Sequence, residues 1–256
     1  MQNMQSNILI GTRGWGDDVQ PDEPGNSDFG RDASVGDVWS GDFYPENLPM
    51  DWRFCFYSNN LRAVLVPAEI WPQVLPQTIS QWLEDCDAEF RFVLELPLAL
   101  SQSMAIAESE AGLTTFLSLI APLRMVTAAL FLRITPTEDI NFEWLRSLCE
   151  VLSEYKPLCI DLPRPWQGQA ITALLHQYDV SLCWHADVAP LPQESGQFLL
   201  TLSQQRDPRA LQRILAQLAQ WQGTHTTGAS ALFFDAAFNV PQCAQQARVL
   251  AELMGV

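Results

Sequence analysis

Short apolar runs alternate along this chain with longer segments in which apolar residues recur at helical spacing. The first run lies in residues 7–15, Asn-Ile-Leu-Ile-Gly-Thr-Arg-Gly-Trp, where a strand beginning at Ile8 stops at a glycine and turns. Seven further runs predict strands at residues 61–66, 90–96, 127–134, 157–162, 180–184, 197–202 and 231–234.

Helical patterns separate most of these runs. They cover residues 50–59, 76–86, 108–123, 141–155, 170–178, 208–221 and 241–254, and little room is left for a helix after the sixth strand. The segment 50–59 has the aromatic content of a strand, but the other eight candidates favour a helix there. Nearly continuous apolar strands joined by helices are typical of a parallel sheet covered on its outer face. The sequence therefore predicts a single-domain α/β protein over residues 1–256, a TIM-type (β/α)8 barrel.

Residues 16–38 interrupt this pattern directly after the first strand. The segment is rich in Gly, Pro and Asp and carries seven carboxylates. Such a composition cannot bury a core, so we expect a mobile acidic insertion beside the carboxyl ends of the strands. Its aspartates lack the spacing of an EF-hand loop.

The charge balance limits the possible partners. Asp and Glu number 30 against 14 Lys and Arg, a formal net charge of -16. This balance argues against binding nucleic acids or anionic membranes, which require a basic surface. We expect a cytosolic protein with no signal peptide, because the first residues, Met-Gln-Asn-Met-Gln, carry no positive charge. The six cysteines form no Cys-x-x-Cys motif, so a zinc ribbon or redox motif is not indicated, and we expect reduced, mostly buried thiols. The oligomeric state is not predicted.

Several segments resemble the YecE-like family of domains of unknown function, the one numbered seventy-two. The matching pieces are Ile-Gly-Thr-Arg-Gly-Trp at 10–15, Trp-Ser-Gly-Asp-Phe-Tyr-Pro at 39–45 with Leu-Pro at 48–49, residues 90–97, Pro-Trp at 165–166 and Leu-Phe-Phe-Asp at 232–235. The resemblance implies a TIM-type barrel and brings no established reaction with it.

The chain departs from the family pattern at polar strand ends. Leu65 and Pro67 stand where the resemblance leads us to expect an acidic residue and an asparagine, Glu95 replaces a lysine, and Arg133 replaces a glutamine. Thr-Leu-Ser at 201–203 stands in place of Arg-Leu-His. Asp161 lies within one residue of the position at which the family carries a glutamate. These departures indicate a divergent member with a rebuilt pocket, and no family site residue is carried over.

Sites in TIM-type barrels lie at the carboxyl ends of the strands. Those ends select the candidates Arg13, Glu69, Glu95, Arg133, Asp161, His185, Asp187, Arg206 and Asp235. Glu95 and Arg133 lie on neighbouring strands, so we expect them to face the barrel interior as an ion pair, with or without a ligand.

The catalytic candidates are Glu95, Asp161, His185 and Asp235. Three readings stay open: an acid and a base, a hard-metal site of carboxylates with the imidazole, or carboxylates that are merely solvated or paired. We favour no metal, since the spacing is not diagnostic.

Tryptophans gather near the same ends of the strands, at positions 15, 39, 71, 166 and 184. Trp15, Trp71, Trp166 and Trp184 are candidates for binding a ligand by stacking, and the alternative is that they cap the core.

Some chemistries are excluded. The only lysine, Lys156, precedes the fifth strand and so lies at the opposite face, which removes a Schiff-base mechanism at the mouth. The seventh and eighth strand ends lack the glycines of a phosphate cradle, and no nucleotide-binding or nucleophile-elbow motif occurs, so we expect no cofactor. Two hypotheses remain: an enzyme or former enzyme binding a small polar molecule at the mouth, with Glu95, Arg133, Asp161, His185 and Asp235 as contacts, and a noncatalytic binding or interaction protein.

Overall fold

The computed structural model describes residues 8–16, 39, 41–102, 106–134, 141–163, 168–192, 196–225, 228–235 and 240–256. These contain one parallel sheet in the order β6-β5-β4-β3-β2-β1-β9-β8-β7. Its strands are β1 (Leu9–Arg13), β2 (Ala63–Val66), β3 (Arg91–Glu95), β4 (Thr127–Arg133), β5 (Leu158–Asp161), β6 (Ser181–Leu182), β7 (Trp184–His185), β8 (Phe198–Ser203) and β9 (Ala229–Phe234).

The two short strands β6 and β7 bring the ends of the sheet together. β6 pairs with β5 and β7 pairs with β8. Between them, the backbone N–H of Cys183 still donates to the carbonyl of Ile160 at 2.8 Å. The two pieces are therefore one strand with a break at Cys183. Counted in this way, the sheet is a nearly closed barrel of eight strands.

Helices surround the barrel. They are α1 (Arg53–Asn60), α2 (Pro76–Asp85), α3 (Leu98–Gln102), α4 (Ile106–Ile120), α5 (Phe142–Tyr155), α6 (Gln169–Gln177), α7 (Pro208–Thr224) and α8 (Val240–Met254), with 3-10 turns at Met50–Trp52, Ala68–Gln73 and Ala121–Met125. Side-chain caps mark two of their starts. Asn141 accepts from the first backbone N–H groups of α5, and Asp207 does so for α7.

Two apolar layers lie on the two sides of the sheet. The barrel interior holds a smaller cluster that includes Leu65, Val93, Phe131 and Phe233. A larger cluster between strands and helices contains the alternate strand residues, Leu94 among them. Successive side chains of a strand point to opposite faces, so this division sets which polar residues can enter the barrel.

Gly11 lets β1 and β2 approach closely. A Cβ atom at this position would lie 1.9 Å from the carbonyl oxygen of Ala63. The buried Tyr57 hydroxyl donates to that same oxygen at 2.8 Å and accepts the N–H of Thr12 at 3.0 Å. The glycine is thus required by packing in the middle of the first strand.

The barrel predicted from the sequence is confirmed, with element bounds that differ by one to three residues. Segment 50–59 is helical, as predicted. The difference lies at the sixth strand, which Cys183 divides. Of the predicted acidic insertion, residues 17–38 lie outside the described residues. No helix in the described part of the chain is long and apolar enough to span a membrane.

Candidate functional site

Polar side chains form the last inward-facing layer at the carboxyl ends of the strands. Each lies two residues beyond an interior position, so strand alternation turns it inward. The members are Arg13, Glu95, Arg133, Asp161, His185 and Asp235. The structure brings all six together through direct contacts.

Glu95 lies at the centre of this layer and is only 1% exposed. One carboxylate oxygen, Oε2, accepts from Arg13 Nε at 2.9 Å. The other, Oε1, lies 3.2 Å from Arg133 Nε, an ion-pair distance without hydrogen-bond alignment. The predicted Glu95–Arg133 pair is present, and Arg13 adds a second guanidinium to it.

Burial and charge oppose each other in this group. Burial raises the pKa of Glu95 above its usual value, while Arg13 and Arg133 act to lower it. Burial also disfavours the charged form of Arg13, but Glu95 and Glu69 outweigh that effect and raise the pKa of Arg13. Glu95 therefore favours the charged form of Arg13, whereas burial opposes and the two guanidiniums support the ionisation of Glu95 itself.

His185 and Asp161 form a hydrogen-bonded pair, the Asp161–His185 dyad, beside this group. The imidazole Nε2 lies 2.9 Å from Asp161 Oδ1, while Asp161 Oδ2 lies 3.9 Å from Arg133 Nε. The hydrogen bond to Asp161 raises the pKa of His185, against the lowering effect of burial. The His185 side chain is 42% exposed, so the imidazole is accessible from the solvent side.

Glu69 and Asp235 lie on the outer side of the guanidiniums. Glu69 Oε2 pairs with Arg13 Nη2 at 2.5 Å, and Asp235 Oδ2 lies 3.4 Å from Arg133 Nη2. Both carboxylates are partly exposed, at 53% and 38% of their side chains. Four carboxylates thus share two guanidiniums in this layer, which leaves an excess of negative charge.

The structure places the described tryptophans in the core. Trp15, Trp71 and Trp184 are 6%, 5% and 2% exposed. Trp15 packs edge-on against Phe54 and Trp82, at ring-centroid distances of 5.1 and 5.2 Å. Rings this buried offer almost no face for stacking a ligand, so these three are corrected to core residues. Trp166 lies outside the described residues.

Two of these tryptophans support the site from behind. Trp71 Nε1 donates to the backbone carbonyl of Glu95 at 2.6 Å. Trp184 Nε1 donates to the carbonyl of Ala189 at 2.9 Å, which holds the turn after β7. The contact with Glu95 joins the 3-10 turn Ala68–Gln73 to the end of β3, and nothing in the local sequence indicates it.

Two cysteines lie in the barrel interior next to the dyad. Cys159 is two residues before Asp161 on the same strand, and Cys183 is two residues before His185. Burial raises the pKa of the Cys183 thiol, and a hydrogen bond with Cys159 acts in the same direction. The Cys183 thiol is therefore a neutral neighbour of the charged layer. Strand alternation counted back from Asp161 and His185 would have found both.

Other ligands find less support in the described part of the chain. It contains no group of three or more His, Cys, Asp or Glu side chains placed to hold a metal ion.

At the start of α7, a position where barrels often bind phosphate, the Asp207 carboxylate accepts from the N–H groups of Arg209 and Ala210. The Gln205 side-chain oxygen accepts from two further N–H groups there. These donors are already occupied.

The fold and this layer define the class: a TIM-type barrel with a polar candidate site at the carboxyl ends of its strands. Within that class, the chain belongs to the family described as "Protein of unknown function DUF72", whose model matches residues 35–256. The resemblance seen in the sequence is thereby confirmed. No curated protein matches the chain significantly.

Solved structures of the same family share the fold. A DUF72 family protein from Thermotoga maritima MSB8 is 13% identical, with a TM-score of 0.70, over 96% of this chain and 100% of that chain. One from Enterococcus faecalis V583 is also 13% identical, with a TM-score of 0.69, over 96% of both chains. At this identity the likeness concerns the fold alone.

Proposed function

We propose that this protein is an enzyme that transfers a proton to or from a small polar molecule bound at the carboxyl ends of the barrel strands. The observation that carries the proposal is the 2.9 Å hydrogen bond between Asp161 and the half-exposed His185. Beside it lie the ion pairs that Glu95 forms with Arg13 and Arg133.

The geometry assigns complementary roles to the dyad. The Asp161 carboxylate can only accept, so Nε2 carries the proton of the neutral imidazole and Nδ1 keeps a lone pair. That lone pair can take a proton from a bound molecule, and Asp161 stabilises the resulting imidazolium. Asp161 thus fixes the tautomer of His185 and makes it a stronger base.

The neighbouring groups hold the ligand in this proposal. Arg133 is 30% exposed and lies near Asp161 and Asp235 as well as Glu95, so its guanidinium stands beside the Asp161–His185 pair. Glu95 fixes both arginines from below, and Glu69 and Asp235 add acceptors at the rim. Preorganised charges of this kind stabilise charge that develops on a bound molecule.

The proposal includes a cytosolic location, supported by six free cysteines, since thiols persist in reducing compartments. A small polar ligand, rather than nucleic acid or a membrane, suits the chain's net charge of -16.

The test is a thermal-shift screen of small polar molecules on the wild-type protein and on two variants, His185→Gln and Asp161→Asn. NMR of each stabilising compound then follows its conversion. We expect compounds that stabilise the wild type, at least one conversion, and loss of conversion in His185→Gln with binding retained. A proton NMR titration should also show a lower His185 pKa in Asp161→Asn, because the hydrogen bond that raises it is weakened.

The second hypothesis, a noncatalytic binding protein, is favoured by Leu65 and Pro67, which stand where the family resemblance leads us to expect polar residues. It predicts compounds that stabilise the wild type and are never converted at any pH. Conversion that survives in His185→Gln would show that the dyad is not the catalytic group.

A further inference from the structure

A cavity lies at the amino-terminal face of the barrel, opposite the candidate site. Its volume is about 220 Å³, and it is bordered by the end of α5, the start of β5 and the turn after α6. Its polar lining comes from Arg124, Tyr155, Lys156, Tyr178, Asp179 and Gln197, with Glu154 at one side. Asp161 lies at the other end of β5, so this cavity is separate from the dyad.

Two cations, Arg124 and Lys156, border this cavity without forming an ion pair among the described residues. Lys156 is the only lysine of the chain. Burial lowers its pKa, and the charged groups that add to the effect are Arg124 and Arg91. Among the described residues, neither Lys156 nor Arg124 forms an ion pair with a carboxylate. Arg124 and Arg91 therefore act on Lys156 as like charges that disfavour its ammonium form.

Two carboxylates, Asp179 and Glu154, also border the cavity, and neither lies within ion-pair distance of Arg124 or Lys156 in the described part of the chain. Asp179 Oδ2 accepts from Gln197 Nε2 at 2.7 Å, and Glu154 is exposed. The position of Lys156 just after α5 suits the helix dipole, which favours one cation at a carboxyl terminus. That explanation does not extend to Arg124, which belongs to another element and stacks on the Tyr155 ring at 5.0 Å.

We propose that this cavity binds a small oxyanion of the phosphate type between Arg124 and Lys156. Two unpaired cations beside one cavity are unexpected in a chain with 30 Asp and Glu, whose overall field repels anions. Charge-assisted hydrogen bonds from a guanidinium and an ammonium are what a phosphate group accepts. The Tyr155 and Tyr178 rings at the border would contact an organic group attached to the phosphate.

The single lysine makes a direct test possible. Reductive methylation with ¹³C-formaldehyde labels Lys156 and the terminal amine alone, and NMR follows the Lys156 signal with pH. Addition of inorganic phosphate at constant ionic strength should move this signal and raise the Lys156 pKa, because an adjacent anion favours the ammonium. A Lys156 pKa that phosphate leaves unchanged would overturn the proposal.

Calorimetry on the unmodified protein provides the second measurement. Arg124→Gln should weaken phosphate binding by about tenfold or more, the loss of one charge-assisted hydrogen bond. Arg146→Gln is the matched control, since it removes the same charge from the exposed side of α5 and should change nothing. Equal effects of the two variants would show that binding follows net charge and not this cavity.

A further titration with phenyl phosphate separates free phosphate from an organic phosphate. Tighter binding than inorganic phosphate assigns the tyrosine rings to the organic part, whereas equal binding restricts the site to the free ion.

Discussion

At the scale of single residues, the fold carries a charged group where an apolar core would be more stable. Glu95 is almost fully buried and relies on two guanidiniums, one from β1 and one from β4. Buried ion pairs seldom add stability over apolar residues of similar size, but breaking them is costly. The group is therefore better explained by a role at the site than by the stability of the barrel.

Removal of the Glu95 carboxylate tests this dependence. We expect Glu95→Met to lower the free energy of unfolding by about 3 kcal/mol or more, since Arg13 and Arg133 lose their shared partner. Adding Arg133→Met should restore part of that loss, because it removes a partly buried guanidinium that has lost Glu95 and keeps only its longer contacts with Asp161 and Asp235. Urea unfolding of the two variants measures both effects.

Glu89→Gln provides the control, since Glu89 pairs with Arg62 at the surface, where the side chains are 72% and 61% exposed. Its effect should stay within about 1 kcal/mol. A double variant less stable than Glu95→Met alone would contradict the expected coupling.

At the scale of elements, β1 carries constraints from both neighbours and from the site. It pairs with β2 on one side and β9 on the other. Its Gly11 admits the Ala63 carbonyl, and its last residue, Arg13, contacts Glu95. A displacement of β1 would therefore move one arginine of the candidate site.

Gly11→Ala should destabilise the protein by about 3 kcal/mol, because the new methyl group meets backbone atoms that cannot move aside without shifting a strand. The matched control is Gly223→Ala in α7, where a Cβ would have no neighbour within 4 Å. There the same change should leave stability unchanged or add up to about 1 kcal/mol, as alanine favours a helix. Thermal and urea unfolding compare them, and a Gly11→Ala protein as stable as wild type would refute the packing argument.

At the scale of the whole molecule, the described barrel has a weak seam at the divided strand formed by β6 and β7, each piece of which shares only two registered pairs with its neighbour. The β5–β6 ladder holds two registered pairs, Cys159 with Ser181 and Ile160 with Leu182, whereas β8 and β9 share six. The free energy of local opening falls where few backbone hydrogen bonds and contacts hold a segment. His185 stands at the end of this divided strand, so the seam borders the candidate site.

Native-state hydrogen exchange should show this difference. We expect the amides of Leu182 and Cys183 to exchange at a lower free energy of opening than those of Leu200 and Leu202 in β8. Exchange of all four only through global unfolding would mean that the divided strand is as firmly held as the rest.

Much of the fold and part of the site followed from the sequence alone. Apolar runs and helical spacing predicted every described strand of the barrel, because both patterns arise within a segment of the chain. Period-two alternation also indicated that Glu95 and Arg133 point inward, since the geometry of one strand decides it. The same rule extends to Asp161 and Asp235.

Only the tertiary structure decided which groups meet. Arg13 reaches Glu95 across 82 positions of sequence, and Arg133 approaches Asp235 across 102. The burial of Trp15, Trp71 and Trp184, and the break at Cys183, likewise depend on packing between distant segments. The physical reason is the range of the interactions: alternation and helical spacing are properties of neighbouring residues, whereas ion pairing, side-chain burial and strand register depend on elements that only folding brings together.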